Sequence, residues 1–142
     1  MKGKKIFAVI DTNVLVSSLF SPDGSSNPSR VIAAVLHGLI TPLYNHEIIE
    51  EYRDVLSRDI FNFKSSLVDD LISVFTSFGL YTDRTDCGKE FFPDRDDIVF
   101  YEIAMSVKDS YLVTGNIKHF PKKCFVVTPA QMMDILRQQT MQ

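Results

Sequence analysis

Cysteine is scarce. Cys87 and Cys124 are the only two, and neither belongs to a CxxC pair. That excludes a disulfide framework and suits a reducing cytoplasm, the expected compartment. Long apolar runs are missing: none approaches the ~18 residues that cross a membrane. The start, "MKGKKIFAVID", has a charged head and a short apolar run, but the run ends in Asp11 and no small-residue cleavage site follows. A signal peptide is therefore not expected. A basic excess is also absent, since the formal net charge is −3. A polyanionic partner would need local basic residues or bound cations. Internal repeats and low-complexity segments are lacking too. What remains is a chain of 142 residues, 45% hydrophobic and 23% charged. Such a chain buries roughly 68–70% of its unfolded surface, enough for one core, so one domain over 1–142 is expected.

Residues 6–10 (IFAVI) are continuously apolar and β-branched or aromatic. That pattern predicts a strand covered on both faces, as in a parallel sheet. Helix is expected over 13–20 and a loop over 21–29. A helix opens at Pro28 or Ser29 and stops at Gly38. "LITPLY" (39–44) reads as a strand weakened by Pro42. Asn45–Arg58 is the clearest helix, with Asn45 as cap and one apolar stripe of Ile48, Ile49, Tyr52, Val55 and Leu56. Another amphipathic helix covers 65–79. "LYTD" (80–83), "SYLVTG" (110–115) and "CFVVT" (124–128) read as strands. Helices follow residue 93 and fill 129–139, the last with Pro129 in its first turn. Alternating strands and helices imply an α/β fold with a parallel sheet, whose ligand site lies outside the carboxyl ends of the strands.

That rim gathers acids. Asp11 ends the first strand. Glu47, Glu50 and Glu51 come early in the Asn45–Arg58 helix. Asp94, Asp96 and Asp97 start the helix that follows residue 93, and Thr114, Gly115 and Asn116 come at the end of the strand "YLVTG". Clustered carboxylates repel unless hydrated, protonated or holding a cation. All-oxygen donors favour Mg²⁺ or Mn²⁺. Each of these residues also has a plainer reading: Asp94 as a cap, Asp96 and Asp97 as dipole-favoured surface acids, Glu47, Glu50 and Glu51 as a solvated face, and Thr12 and Asn13 as caps of the next helix. Asp11, between two apolar runs, is the hardest to explain without a function. The compact basic patch is "GNIKHFPKK", with Lys118, His119, Lys122 and Lys123. It reads as a phosphate contact or as a solvated turn. Phe91 and Phe92 read as core residues or as base-stacking residues.

"VIDTNVLVSSLF", "HEIIEEYRDVLSR", "FFPDRDDIVFYEIA", "YLVTGNIKHFP" and "VVTPAQMMDIL" together resemble a PIN domain over nearly the whole chain. Within that superfamily the chain is most similar to a bacterial group assigned to toxin–antitoxin systems. The resemblance implies a three-layer α/β/α fold with a five-stranded, essentially parallel sheet in order 3-2-1-4-5. It implies a Mg²⁺- or Mn²⁺-dependent ribonuclease in which a metal-activated water cleaves the phosphodiester, leaving a 5′-phosphate and a 3′-hydroxyl. Asp11, Glu51 and Asp97 match the family's metal acids, Asp94 a further acid, and Thr114 and Asn116 the last motif. Many relatives have Asp at the position of Asn116, so a second metal site is weakened here. Lys118, His119, Lys122 and Lys123 are the expected RNA contacts. An antitoxin protein covering the acidic rim and a homodimer are the protein partners the resemblance implies; no membrane is.

Two other rim-acid folds fit less well. A haloacid-dehalogenase-like phosphatase needs Asp-x-Asp where this chain has Asp11-Thr12-Asn13, and a receiver domain wants an acidic pair where only Asp11 stands. The non-enzyme alternative is a degenerate nuclease fold kept as an RNA- or protein-binding module, and Asn116 is the residue that favours it.

Overall fold

In the computed structural model, which describes residues 5–140, the strand at 6–10 forms as expected, as β1 (Ile6–Ile10). Met1–Lys4, the charged start weighed as a leader, lie outside the described residues. Around β1 the chain builds β2 (Ile40–Tyr44), β3 (Leu80–Tyr81), β4 (Tyr111–Val113) and β5 (Val126–Val127). They form a five-stranded sheet in order β3-β2-β1-β4-β5, with every neighbouring pair parallel. β1 is central. Ala8 faces both Pro42 of β2 and Tyr111 of β4, and Ala8, Val9 and Ile10 are wholly buried. An uninterrupted apolar strand is what a position covered on both faces requires.

Among the described residues six α-helices flank the sheet: α1 (Thr12–Leu19), α2 (Asn27–Leu36), α3 (His46–Leu56), α4 (Ser65–Phe78), α5 (Ile98–Met105) and α6 (Pro129–Thr140). α2 packs against α1, α4 and α6, whereas α5 packs on β1, β2 and β4 and meets α3. This is the three-layer α/β/α arrangement. Among the described residues no helix is long and apolar enough to cross a membrane.

The boundaries shift for local reasons. α1 starts at Thr12 because Asp11, extended at φ −65° and ψ 147°, is its N-cap. Neither Thr12 nor Asn13 has that role. α2 starts at Asn27 because the Ser26 hydroxyl accepts the Ser29 N–H, with Pro28 in the first turn. Asn45 caps α3 as expected, its Oδ1 accepting the Ile48 N–H at 2.9 Å. Gly79 ends α4 against β2. A Cβ there would lie 2.3 Å from the Phe75 carbonyl oxygen and 2.6 Å from that of Pro42, so only glycine fits. The acids before α5 form a 3₁₀ turn, Arg95–Asp97, rather than helix. The strands at 80–83, 110–115 and 124–128 are shorter than the patterns suggest. In β4 the shortening has a use: Thr114 and Gly115 leave the ladder and turn into the rim.

Candidate metal centre on the sheet rim

Asp11 sits where β1 hands over to α1. Its backbone N–H donates to Val113 of β4 at 2.9 Å. Oδ1 accepts the Thr12 N–H at 2.8 Å, and Oδ2 accepts the Thr114 hydroxyl at 2.7 Å and the Asn13 amide at 3.1 Å. Burial pushes the Asp11 carboxyl up from its ordinary value, and these three donors pull it back only in part. The sequence thus buries a carboxylate and surrounds it with donors that fix its direction.

Asn13 is the residue that pattern reading undervalued. Its Nδ2 donates to Asp11 and lies 3.5 Å from the Thr114 hydroxyl, while its Oδ1 accepts the Gly115 N–H at 2.9 Å. It therefore clamps the end of β4 to the end of β1. Thr114, wholly buried, passes the same order outward: its hydroxyl accepts the Asn116 N–H at 2.9 Å. Asn116 itself is exposed, and its side chain makes no capping bond to the 3₁₀ turn Ile117–His119.

Glu51 is brought to the rim by its neighbour. The buried Tyr52 hydroxyl donates to the Ile10 carbonyl, and its ring packs edge-on against Phe75 with centroids 5.3 Å apart. This pins α3 beside the end of β1. Glu51 is half-buried and pushed up to about 7, by desolvation first and then by Asp96, Asp54 and Asp11. Asp97 is also half-buried and pushed up to about 6, by desolvation, then Asp11 and Asp94. Asp94 itself is exposed and caps the 3₁₀ turn, its Oδ1 accepting the Asp96 N–H at 3.0 Å. Glu50, Glu51, Asp54, Arg95 and Asp96 line an open groove of about 370 Å³ beside this corner.

Glu47 and Glu51, one turn apart on α3, both line this groove, but only Glu47 has a cation paired to it. Arg84 takes Glu47 at 2.7 Å and Glu102 of α5 at 2.6 Å, so Glu47 ties helices together. Asp86, Cys87 and Glu102 are the one trio among the described residues whose ligand atoms lie within 4.8 Å of one another. Proximity alone would let them hold a metal. Glu102, however, already accepts from Arg84 and from the Cys87 N–H, and the Cys87 thiol is pushed up by desolvation and Glu102, toward its non-ligating form.

The rim acids Asp11, Glu51 and Asp97 do not bring their oxygens within 4.8 Å of one another as that trio does, but their chemistry suits a divalent cation better. Asp97 Oδ2 is buried with no hydrogen-bond partner, and His119 Nδ1 is 3.5 Å away, an ion-pair distance. An orphaned buried carboxylate oxygen is costly unless something else satisfies it. The neighbouring Asp11 and Glu51 offer only oxygen donors, which suit a hard cation.

Of the basic patch, His119 reaches the acids. Lys118 and Lys122 are exposed, and Lys123 pairs with Glu90 at 3.3 Å. If the patch contacts phosphates, the double variant Lys118→Ala/Lys122→Ala should show a shallower plot of log affinity against log salt for single-stranded RNA, by about 1.4. An unchanged slope would make the patch a solvated turn.

A parallel sheet in this order, with carboxylates gathered at its carboxyl edge, is the arrangement of a nuclease-like α/β/α domain. The PIN-domain family model matches residues 8–118. The chain belongs to that family, whose members are generally nucleases and typically use divalent metals. No curated protein and no solved structure matches the chain.

Proposed function

We propose that this protein is a Mg²⁺- or Mn²⁺-dependent endoribonuclease, with Asp11, Glu51 and Asp97 holding the cation. The observation that supports the reading is the buried Asp97 Oδ2 without a hydrogen-bond partner, on a carboxyl pushed up to about 6 by desolvation and then by Asp11, with Glu51, pushed up to about 7, also within electrostatic reach of Asp11. The cation, when bound, lowers the pKa of a coordinated water and offsets charge on the phosphate. The chain does the rest. Thr114, Asn13 and the Thr12 N–H hold the direction of Asp11. Glu51, on the open groove, would bind the cation or orient the attacking water through its carboxylate. Asp94 fixes the turn that presents Asp97. Lys118, His119, Lys122 and Lys123 receive the RNA backbone. The protein acts in the cytoplasm as one domain over 1–142.

As the toxin of a toxin–antitoxin pair, it would be restrained by a partner whose segment covers the acidic rim. The acids of the groove suit a basic segment. Self-association as a homodimer belongs to the same reading; Phe78, Leu80 and Tyr81 along the β3 edge are about half exposed and offer it an apolar strip.

The test is incubation of the protein with generic single-stranded RNA in Mn²⁺ and in chelator. Cleavage only in Mn²⁺ is expected. Binding without cleavage under both conditions would replace the enzyme by a binding module.

Asn116 gives a sharper check. It is neutral and exposed, and its backbone is tied to Thr114. Asn116→Asp adds a carboxylate near the site, so Mn²⁺ affinity should rise about tenfold, with equal or higher activity. Calorimetric titration measures it. An unaltered affinity in a folded variant would remove residue 116 from the site.

A further inference from the structure

We propose that Phe91 is a stacking platform for an unpaired nucleobase of the substrate strand, close to the phosphate that reaches the acidic rim; this rests on the ribonuclease reading above. The adjacent pair Phe91 and Phe92 divides in the fold. Phe92 is buried, edge-on to Tyr101 and Phe120 with ring centroids 5.2 Å and 6.3 Å away. Phe91 is 80% exposed. Its chain neighbours are engaged, since Glu90 pairs with Lys123 at 3.3 Å and Phe92 packs edge-on to Phe120, while the Phe91 ring is left in solvent.

The wall that carries Phe91 also leads to the site. Phe120 follows His119, whose Nδ1 lies 3.5 Å from Asp97 Oδ2, and Asp94 comes three residues after Phe91. The surroundings choose the occupant. Segment 117–124, "IKHFPKKC", holds three lysines and a histidine and no acid, and Lys89 precedes Phe91 by two residues. Lys123 is taken up by Glu90, so Lys118 and Lys122 are the exposed cations of that segment; an exposed aromatic ring with such lysines on the same wall is one means by which single strands are held, bases stacking while phosphates meet the cations. A stable protein interface would want about 800 Å² per partner, more than a single ring supplies.

The test uses single-stranded oligoribonucleotides carrying 2-aminopurine at successive positions, with Ca²⁺ in place of Mn²⁺ for binding and Mn²⁺ for cleavage. Phe91→Ala and Phe91→Leu should each weaken single-strand binding about tenfold, and Phe91→Trp should retain it. Quenching of 2-aminopurine at one position should vanish in Phe91→Ala. KM should rise while kcat holds, because Phe91 does not touch the reacting atoms. Affinity for a fully paired duplex should not change. Melting temperatures should match the wild type, since the ring is exposed. If the wild type cleaves RNA and Phe91→Ala binds it within twofold of the wild type, the platform is overturned and the ribonuclease reading stands. Retention of affinity by Phe91→Leu would mean apolar bulk rather than stacking, and also overturns it. A change of oligomeric state in Phe91→Ala with RNA affinity intact makes the ring a protein contact, again against the proposal. If the wild type neither binds nor cleaves RNA, the ribonuclease reading fails and this inference falls with it.

Discussion

Asp11→Asn should lower Mn²⁺-dependent RNA cleavage by at least about a hundredfold and leave the protein folded. The loss follows from charge: the amide keeps the shape of the side chain, but its attraction for a divalent cation is much weaker. The survival of the fold follows from opposing effects. Asn is as good an N-cap as Asp, so the bond from the Thr12 N–H is kept. The Oδ2 bonds from Thr114 and Asn13 are lost, at about 1 kcal/mol each. Against this, a buried charge that repels Asp97 and Glu51 is removed. The net change should be small, within about 4 °C in melting temperature. Asp11→Ala should cost more, because the cap goes too. Cleavage assays and melting curves on the three proteins decide it. An active Asp11→Asn protein would end the metal-ligand role, and an unfolded one would make Asp11 chiefly structural.

How much of this was legible in the sequence depends on the range of each interaction. β1 was readable because a strand covered on both faces must be apolar throughout, and IFAVI meets no competing signal. α3 was readable because its cap and stripe are local. Asp11 was readable as the polar break at a strand end, and the family resemblance singled out Glu51 and Asp97. What the pattern did not show is which of Glu47 and Glu51 is taken up by an ion pair, since they share a helix face. Arg84, 37 residues on, makes that choice by pairing with Glu47, and residue spacing carries no trace of it. The role of Asn13 is hidden for a similar reason. Beside Thr12 it resembles a cap, but its real partners, Thr114 and Gly115, lie about a hundred residues on. The pair Phe91 and Phe92 is symmetric in sequence, and only the docking of residues 90–92 on 120–123 separates them.

The metal-free protein should lose stability as pH rises, and Mn²⁺ should restore it. Glu51 is pushed up from 4.5 to about 7, and Asp97 from 3.8 to about 6. A carboxyl whose pKa is raised by folding binds its proton more tightly in the folded than in the unfolded state. Its ionisation therefore costs nothing below the unfolded pKa, costs progressively more as pH rises through the window between the two values, and costs in full above the folded value. The window runs from about 4 to about 7 here. Both groups are partly open to water, so screening cuts each cost to about 1 kcal/mol. In chelator, raising the pH from about 5 to about 8 should then lower the melting temperature by several degrees through these two groups. Glu51→Gln and Asp97→Asn should each remove about half of that slope. Near pH 8, saturating Mn²⁺ should raise the wild-type melting temperature more than that of either variant, because the cation takes up the repulsion the variants have already lost. Glu102 offers a control: burial raises its carboxyl, but the Cys87 N–H and Arg84 outweigh that and hold it below the usual range, opposite in sign, and Mn²⁺ should not act through it. A metal-free protein with the same pH slope as Glu51→Gln and Asp97→Asn would mean that the rim acids are solvated and do not crowd one another.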